Sequence, residues 1–299
     1  MPDFDPQALV ERLRRELPGF LWRHAYIAGS VAVALHFRLQ LQGRSFRTKD
    51  ADIVVQPIGE NKALVATARA LFAAGWTYYA KGGKFPSPGT ANTPDASLPA
   101  LRLIREESDE YFVEFLGLPR IGQRETKRWR RVIVGKRHFG VPCFRFMGLT
   151  ERGLRKTPQG IRYADPAMMS LANLLSHPTI GTVTMDGLIG GKACLRSAKD
   201  LGRALAIAQL MTRADLELWV DPWMAALRDL FPRDWRKLGR EAGSGLRALL
   251  EDDRAMGDVL HTVTVSLLYD RTPTRDRLRT VAHQLLNDVL DPLAERCRR

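Results

Sequence analysis

Between Gly29 and Val55 the chain reads Gly29-Ser30-Val31-Ala32-Val33-Ala34-Leu35-His36-Phe37, then a polar segment, then Thr48-Lys49-Asp50-Ala51-Asp52-Ile53-Val54-Val55. The second half alternates acids with apolar residues and runs into β-branched side chains, the pattern of a strand entering a core. Side chains on a strand repeat every second residue, so Asp50 and Asp52 share a face about 7 Å apart. Two carboxylates so placed repel unless a cation sits between them. Mg²⁺ (or Mn²⁺) suits such oxygen donors and ordinarily shares its shell with phosphates. The Gly29-Ser30 pair ahead of a helical run supplies the other half of such a site. Glycine lets backbone approach a phosphate closely, and N–H groups at a helix start point at the anion.

This combination resembles the nucleotidyltransferase fold of the DNA polymerase beta type. Within that superfamily the chain looks most like the AbiEii-type toxins of type IV toxin–antitoxin systems. Nineteen residues separate Ser30 from Asp50, more than the family pattern carries, and the excess reads as an extended helix end plus a longer loop at 39–47. The resemblance implies that Asp50, Asp52 and a third acid bind the metal, and that Gly29, Ser30 and Lys49 contact an NTP. Glu114, alone in the apolar run Val113-Glu114-Phe115-Leu116, is the candidate third acid. A buried carboxylate is costly unless paired or bound to a cation; the plainer alternative is a glutamate on the exposed face of an edge strand. By the same resemblance Lys192, after Gly190-Gly191, would hold phosphates, with Arg196 or Lys199 assisting. The three basic residues recur at spacings of four and three, along one face of an expected helix. Asp200 would act as a base or position a catalytic group, unless it pairs locally on a charged face. The implied activity moves an NMP from an NTP to an acceptor. RNA, the 3′ end of tRNA first, is the expected acceptor, and a cognate antitoxin a possible partner. Protein adenylylation and a non-enzymatic RNA-binding relic of the fold stay open.

The net charge of +13 points to a polyanionic partner, nucleic acid before membrane. Thirteen Lys or Arg fall within 120–162, opposed only by Glu125 and Glu151, so that segment holds +11 of the +13. Arg124, Lys127, Arg128, Arg130, Arg131, Lys136 and Arg137, interleaved with Trp129 and His138, are the expected nucleic-acid contacts. The alternative is a solvated basic face. Phe144 and Phe146 are expected in a core strand over 141–147.

At 299 residues the chain has room for two domains. The expectation is an α/β (α+β) domain with a mixed sheet over 1–164, then a mainly helical domain over 165–299. Cys143, Cys194 and Cys297 are too few and too dispersed for a zinc site or a disulfide framework. The acidic start and the lack of an 18-residue apolar run predict neither signal peptide nor membrane span, hence a cytoplasmic protein. Helices are expected over 6–17, 31–41, 61–74, 166–176, 192–211, 215–230, 238–250 and 274–293. Strands are expected over 20–27, 52–56 and 76–80, with a hairpin of 101–104 and 111–116. The stretch 82–97, rich in Gly, Pro and Ser, reads as a loop that could lie over the site. Residues 256–268 suit helix or strand. Trp219, Trp223 and Trp235 are expected between packed helices, and His177 reads as a helix-end histidine.

Overall fold

The computed structural model describes residues 5–41, 47–48, 50–56, 61–80, 85–105, 111–120, 122–185 and 187–298. The chain forms two compact units. One comprises Met1–Leu35, Thr48–Met147 and Leu154–Ala164; the other comprises His36–Arg47, Gly148–Gly153 and Asp165–Arg299.

The first unit is built on a mixed sheet. Its strands are β1 (Ala25–Ala28), β2 (Asp50–Val55), β3 (Trp76–Tyr78), β4 (Arg102–Arg105), β5 (Phe112–Gly117), β6 (Lys127–Val134), β7 (Arg137–Phe144), β8 (Arg155–Lys156) and β9 (Arg162–Tyr163). The order is β3-β4-β5-β2-β1-β9-β8, with β7 joined to β5 and β6 to β7. β1 and β2 run antiparallel while β2 and β5 run parallel, so the alternating acids of β2 lie inside the sheet, away from its edges. The expected hairpin forms, with β4 antiparallel to β5. Three helices accompany the sheet: α1 (Pro6–Glu16), α2 (Gly29–His36) and α3 (Lys62–Ala73). Asp5 opens α1 by accepting from the Gln7 amide at 2.8 Å, with Pro6 in the first turn. The strand expected from residue 20 begins only at Ala25. After Pro18, residues Gly19–Arg23 make a 3₁₀ turn that leaves Phe20 61% exposed. β6 was hidden in the sequence by its charge, since its outer half, Lys127 to Arg131, carries no buried residue.

The second unit is helical: α4 (Pro166–Ile180), α5 (Arg196–Leu210), α6 (Arg213–Glu217), α7 (Val220–Leu230), α8 (Trp235–Glu241), α9 (Ser244–Leu250), α10 (Asp253–Thr264), α11 (Arg275–Leu285) and α12 (Asp291–Arg296). As the Asp-Pro pair predicts, Asp165 caps α4, accepting from the amides of Ala167 at 2.9 Å and Met168 at 3.4 Å. The ambiguous stretch resolves as α10. Asp252 caps its start, and Val259 and Val263, one turn apart, bury against α5. Gly202 permits that approach, because a Cβ there would lie 2.6 Å from Thr262 Oγ1. Trp219 and Trp223 pack in the core, and Trp223 Nε1 donates to the Ala167 carbonyl at 3.0 Å. Trp235 differs: it is half-buried, with the Arg228 and Arg236 guanidiniums each 4.5 Å from its ring centroid.

His177 on α4 faces Gly245 on α9, where a Cβ would come within 2.8 Å of the imidazole Cγ. Its Nδ1 is buried and without a hydrogen-bond partner among the described residues. Burial pushes its pKa below the ordinary 6.5, while the nearby Asp200 carboxylate pulls the other way. A depressed folded-state pKa means that the unfolded chain takes up the proton first. The stability contribution is therefore present above pH 6.5 and lost as pH falls through the folded-state value. We expect urea midpoints to drop below that pH in the wild type and His177→Gln to flatten the drop. A midpoint with the same pH dependence in both proteins would contradict this.

Candidate functional site

β1 is buried throughout and ends directly in Gly29, the first residue of α2. Gly29 has φ +67°, a left-handed conformation that side chains disfavour. A Cβ there would collide with Asp52 Oδ2 and lie 3.1 Å from Asp52 Cγ. The Asp52 carboxylate therefore occupies the space that a side chain at residue 29 would fill. The register explains this proximity, since Ala28 and Asp52 are lateral partners across β1 and β2. The two motifs separated by nineteen residues in the sequence meet at the start of α2. Ser30, the next residue, is half-buried.

Asp50 and Asp52 are both half-buried while Ala51 between them is buried, as two acids on one face require. The Thr48 hydroxyl donates to Asp50 Oδ1 at 2.9 Å and fixes that carboxylate locally. Glu114 is the lateral partner of Asp52 across β2 and β5, and Arg102 is the partner of Glu114 across β5 and β4. Ala28, Asp52, Glu114 and Arg102 thus form one row across four strands, on one face of the sheet. Arg102 holds Glu114 with both ends of its fork: Nε to Oε2 and Nη2 to Oε1, each 3.1 Å. Its guanidinium also lies 5.9 Å from the Phe112 ring centroid, and Phe112 stacks on Tyr79 at 4.9 Å. Among the described residues no three His, Cys, Asp or Glu side chains are grouped as ligands of one metal. Glu114 is instead engaged at both oxygens by Arg102. Asp50 and Asp52 are hard oxygen donors beside a helix start, and such a pair fits Mg²⁺, which commonly takes one or two carboxylates and completes its shell with phosphates and water.

The expected contacts in the second unit are arranged differently from their spacing. α5 begins at Arg196, so Lys192 precedes the helix and does not share a face with Arg196 and Lys199. Gly190 and Gly191, both at positive φ, turn the chain so that Ile189 and Lys192 form a bridge. Lys192 Nζ pairs with Asp258 Oδ1 on α10 at 2.5 Å, and His261 of α10 holds the Ile189 carbonyl at 2.7 Å. Asp200 is 2% exposed, with Arg196 Nε 3.3 Å from each of its oxygens. That is the local pairing, and it encloses the carboxylate.

The basic segment is only partly available. Arg130 donates to the Leu118 carbonyl at 2.9 Å and to Asn61 Oδ1 at 3.1 Å. Arg131 pairs with Asp95 at 2.7 Å and donates to the Thr90 and Thr93 carbonyls, fastening the 85–98 stretch to β6. Gly89 bridges His138 as well, so the described part of the expected loop is docked on the β6–β7 hairpin. Arg162 donates to the Trp22 carbonyl, and Arg152 pairs with Asp229. Arg124, Lys127, Arg128, Lys136 and Arg137 remain exposed, with Lys127 Nζ 4.2 Å from the Trp129 ring centroid. Lys49 lies outside the described residues. Arg102 and Thr48 are absent from the sequence-based candidates. The predicted hairpin held the signal for Arg102, because residues nearly equidistant from its turn face each other.

All three cysteines are free and buried, and burial raises each thiol above its ordinary range. No helix among the described residues is long and apolar enough to cross a membrane. No family model matches the chain, and no curated protein matches it. Among solved structures the chain is similar to the CD-NTase CdnG of Bradyrhizobium diazoefficiens, solved in complex with GTP. The two share 12% identity with a TM-score of 0.24, over 99% of this chain and 94% of that one. At that TM-score the likeness carries no argument about chemistry.

Proposed function

We propose that the chain is a metal-dependent nucleotidyltransferase that moves an NMP from an NTP to an acceptor hydroxyl, with RNA (the tRNA 3′ end) as the acceptor. One observation carries the reading: a left-handed glycine at a helix start with an aspartate carboxylate seated against its backbone. This juxtaposes an anion-binding backbone and paired oxygen donors, the two requirements of a metal–triphosphate substrate. Asp50 and Asp52 hold the metal, which when bound neutralises phosphate charge and orients the reacting oxygens. Gly29 and Ser30 receive the β/γ-phosphates through the N–H groups at the start of α2 and the serine hydroxyl. The acceptor hydroxyl oxygen bonds to the α-phosphorus and gives up its proton to solvent, the bond from the α-phosphorus to the bridging β-phosphate oxygen breaks, and pyrophosphate leaves with that electron pair. Lys192 pairs with Asp258 and Arg196 with Asp200, and we assign no step to these residues. The exposed basic residues of β6 and β7 contact the acceptor. A toxin role, checked by a cognate antitoxin, belongs to the same proposal. A protein acceptor is the second reading, favoured by the internal use of Arg130, Arg131 and Arg162.

Glu114 joins the metal only by releasing Arg102, so the two cations compete for one carboxylate. Arg102→Gln is expected to tighten Mn²⁺ binding several-fold by removing that competitor. Glu114→Gln should weaken binding only modestly, since Asp50 and Asp52 remain. Isothermal titration of the full chain with Mn²⁺ reads both. Weaker Mn²⁺ binding in Arg102→Gln than in the wild type would contradict the exchange.

A further inference from the structure

The sequence concentrates positive charge in 120–162, yet several of those side chains are spent inside the first unit. The second unit carries another basic surface, and four of its five cations fall within residues 233–240, where Asp234 is the one acid. Arg228 on α7, Arg233 in the turn that follows, and Arg236, Lys237 and Arg240 on α8 are all exposed. Among the described residues none of the five has a carboxylate within ion-pair distance, although other exposed basic side chains of this unit do. Arg152 pairs with Asp229, Arg213 with Asp288, Arg247 with Asp291 and Arg296 with Asp221. Asp229, the acid beside Arg228, is thus already engaged by Arg152.

Three of the five, Arg228, Arg236 and Arg240, share one neighbourhood. Leu238 and Gly239 turn the opposite side of α8 inward, where a Cβ on Gly239 would collide with Sγ of Cys297, the residue that ends α12. Arg228, Arg240 and Arg236 all lie close enough to Cys297 to oppose the rise that burial imposes on its thiol. Arg236 and Arg240 stand one turn apart on α8, a like-charge spacing that works against the isolated helix. Trp235 orders two of the guanidiniums, each 4.5 Å from its ring centroid. A guanidinium stacked on indole keeps a fixed plane, with its N–H donors directed outward along the edge and little rotamer freedom left to lose.

We propose that the α7–α8 surface is a binding platform for single-stranded RNA. The Arg228–Trp235–Arg236 stack and the outward cations of α8 grip successive phosphates. Planar guanidiniums match phosphate oxygens bidentately and offer their faces to bases. A protein partner or an inserted membrane would need an apolar centre, and none of the large exposed hydrophobic residues lies on α8. Binding here is independent of the metal site, so it holds whether or not the chain transfers nucleotides.

The test is fluorescence anisotropy of the full-length protein with a labelled mixed-sequence single-stranded RNA across a salt series. Arg236→Glu with Arg240→Glu should weaken binding at least about tenfold. It should also make the log–log salt slope shallower by about 1.4, since each phosphate contact on a single strand contributes about 0.7. Trp235→Leu keeps every charge, so it should lower affinity several-fold and leave the slope unchanged, which a mere folding defect would not do. Melting curves check that both variants are folded. Unchanged affinity and slope in the charge-reversed variant would overturn the proposal. So would displacement of the RNA by poly-glutamate at equal charge, or loss of binding to phosphatidylserine vesicles with RNA binding intact, outcomes that assign the surface to an acidic protein or to a membrane. Lys127→Glu with Arg128→Glu, measured in parallel, reports on the proposed acceptor surface of β6 and β7 alone. A loss confined to that variant would support the acceptor reading and overturn the platform; a loss confined to α8 would do the reverse.

Discussion

Replacing Gly29 with alanine is expected to destabilise the protein by about 2–4 kcal/mol and to reduce nucleotidyl transfer at least about a hundredfold. Two separate costs add. At φ +67° an L-residue loses about 1–2 kcal/mol against glycine. The new methyl group would also enter the space of Asp52 Oδ2, and Asp52 sits on a strand paired along both sides, so its backbone cannot retreat. The carboxylate must turn away or the start of α2 must shift, and either movement separates the metal donors from the phosphate-binding amides. Misplacement of about 1 Å near reacting atoms costs on the order of a hundredfold in rate. Gly19→Ala is the matched control, because nothing lies within 4 Å of its added Cβ and its φ is not left-handed. Urea unfolding and initial transfer rates for the two variants check this. Equal stability and equal rates for Gly29→Ala and the wild type would contradict the geometry.

Asp52→Asn carries the second large effect and separates chemistry from folding. The amide keeps the shape of the carboxylate, so the fit against Gly29 persists and the melting temperature should move little. Losing one of two metal-binding carboxylates should remove detectable Mn²⁺ binding and lower transfer by several orders of magnitude, since electrostatic stabilisation of phosphate charge is the dominant contribution expected here. The same substitution should abolish growth arrest if the wild type arrests growth on expression. Wild-type Mn²⁺ affinity in Asp52→Asn would contradict the assignment of Asp50 and Asp52, even with the fold intact.

How much of this was legible in the sequence depends on how far each interaction reaches along the chain. The mixed sheet followed by a mainly helical region was readable, because period-two and period-3.6 patterns and caps such as Asp165-Pro166 act over a few residues. Asp50 and Asp52 sharing a face followed from strand periodicity alone. The seating of Asp52 on Gly29 did not, since it depends on the register Ala28 to Asp52 between strands that are distant in sequence. Glu114 stands out as an acid in an apolar run, but its partner Arg102 sits on another strand, so the sequence alone does not separate pairing from metal binding. Lys192 shares a helical spacing with Arg196, but Leu195 between them is extended and α5 starts only at Arg196. Charge was the least faithful signal. Arg130, Arg131 and Arg162 satisfy carbonyls and fasten loops, whereas Arg228 and Arg236 stay exposed and converge on Trp235 from two helices.

The Gly29-Ser30 turn and the Asp50–Asp52 pair together make the proposed site for metal-dependent nucleotidyl transfer. Its most direct test is incubation of the full-length protein with each α-labelled NTP, Mg²⁺ and total RNA or total protein, with Asp52→Asn alongside and products separated on a denaturing gel. The account predicts label from at least one NTP on RNA, removed by ribonuclease, abolished by a chelator and absent with Asp52→Asn. Label removed by protease instead would move the acceptor to protein and leave the site standing. No transfer from any NTP to either acceptor, or equal transfer by the wild type and Asp52→Asn, would contradict it.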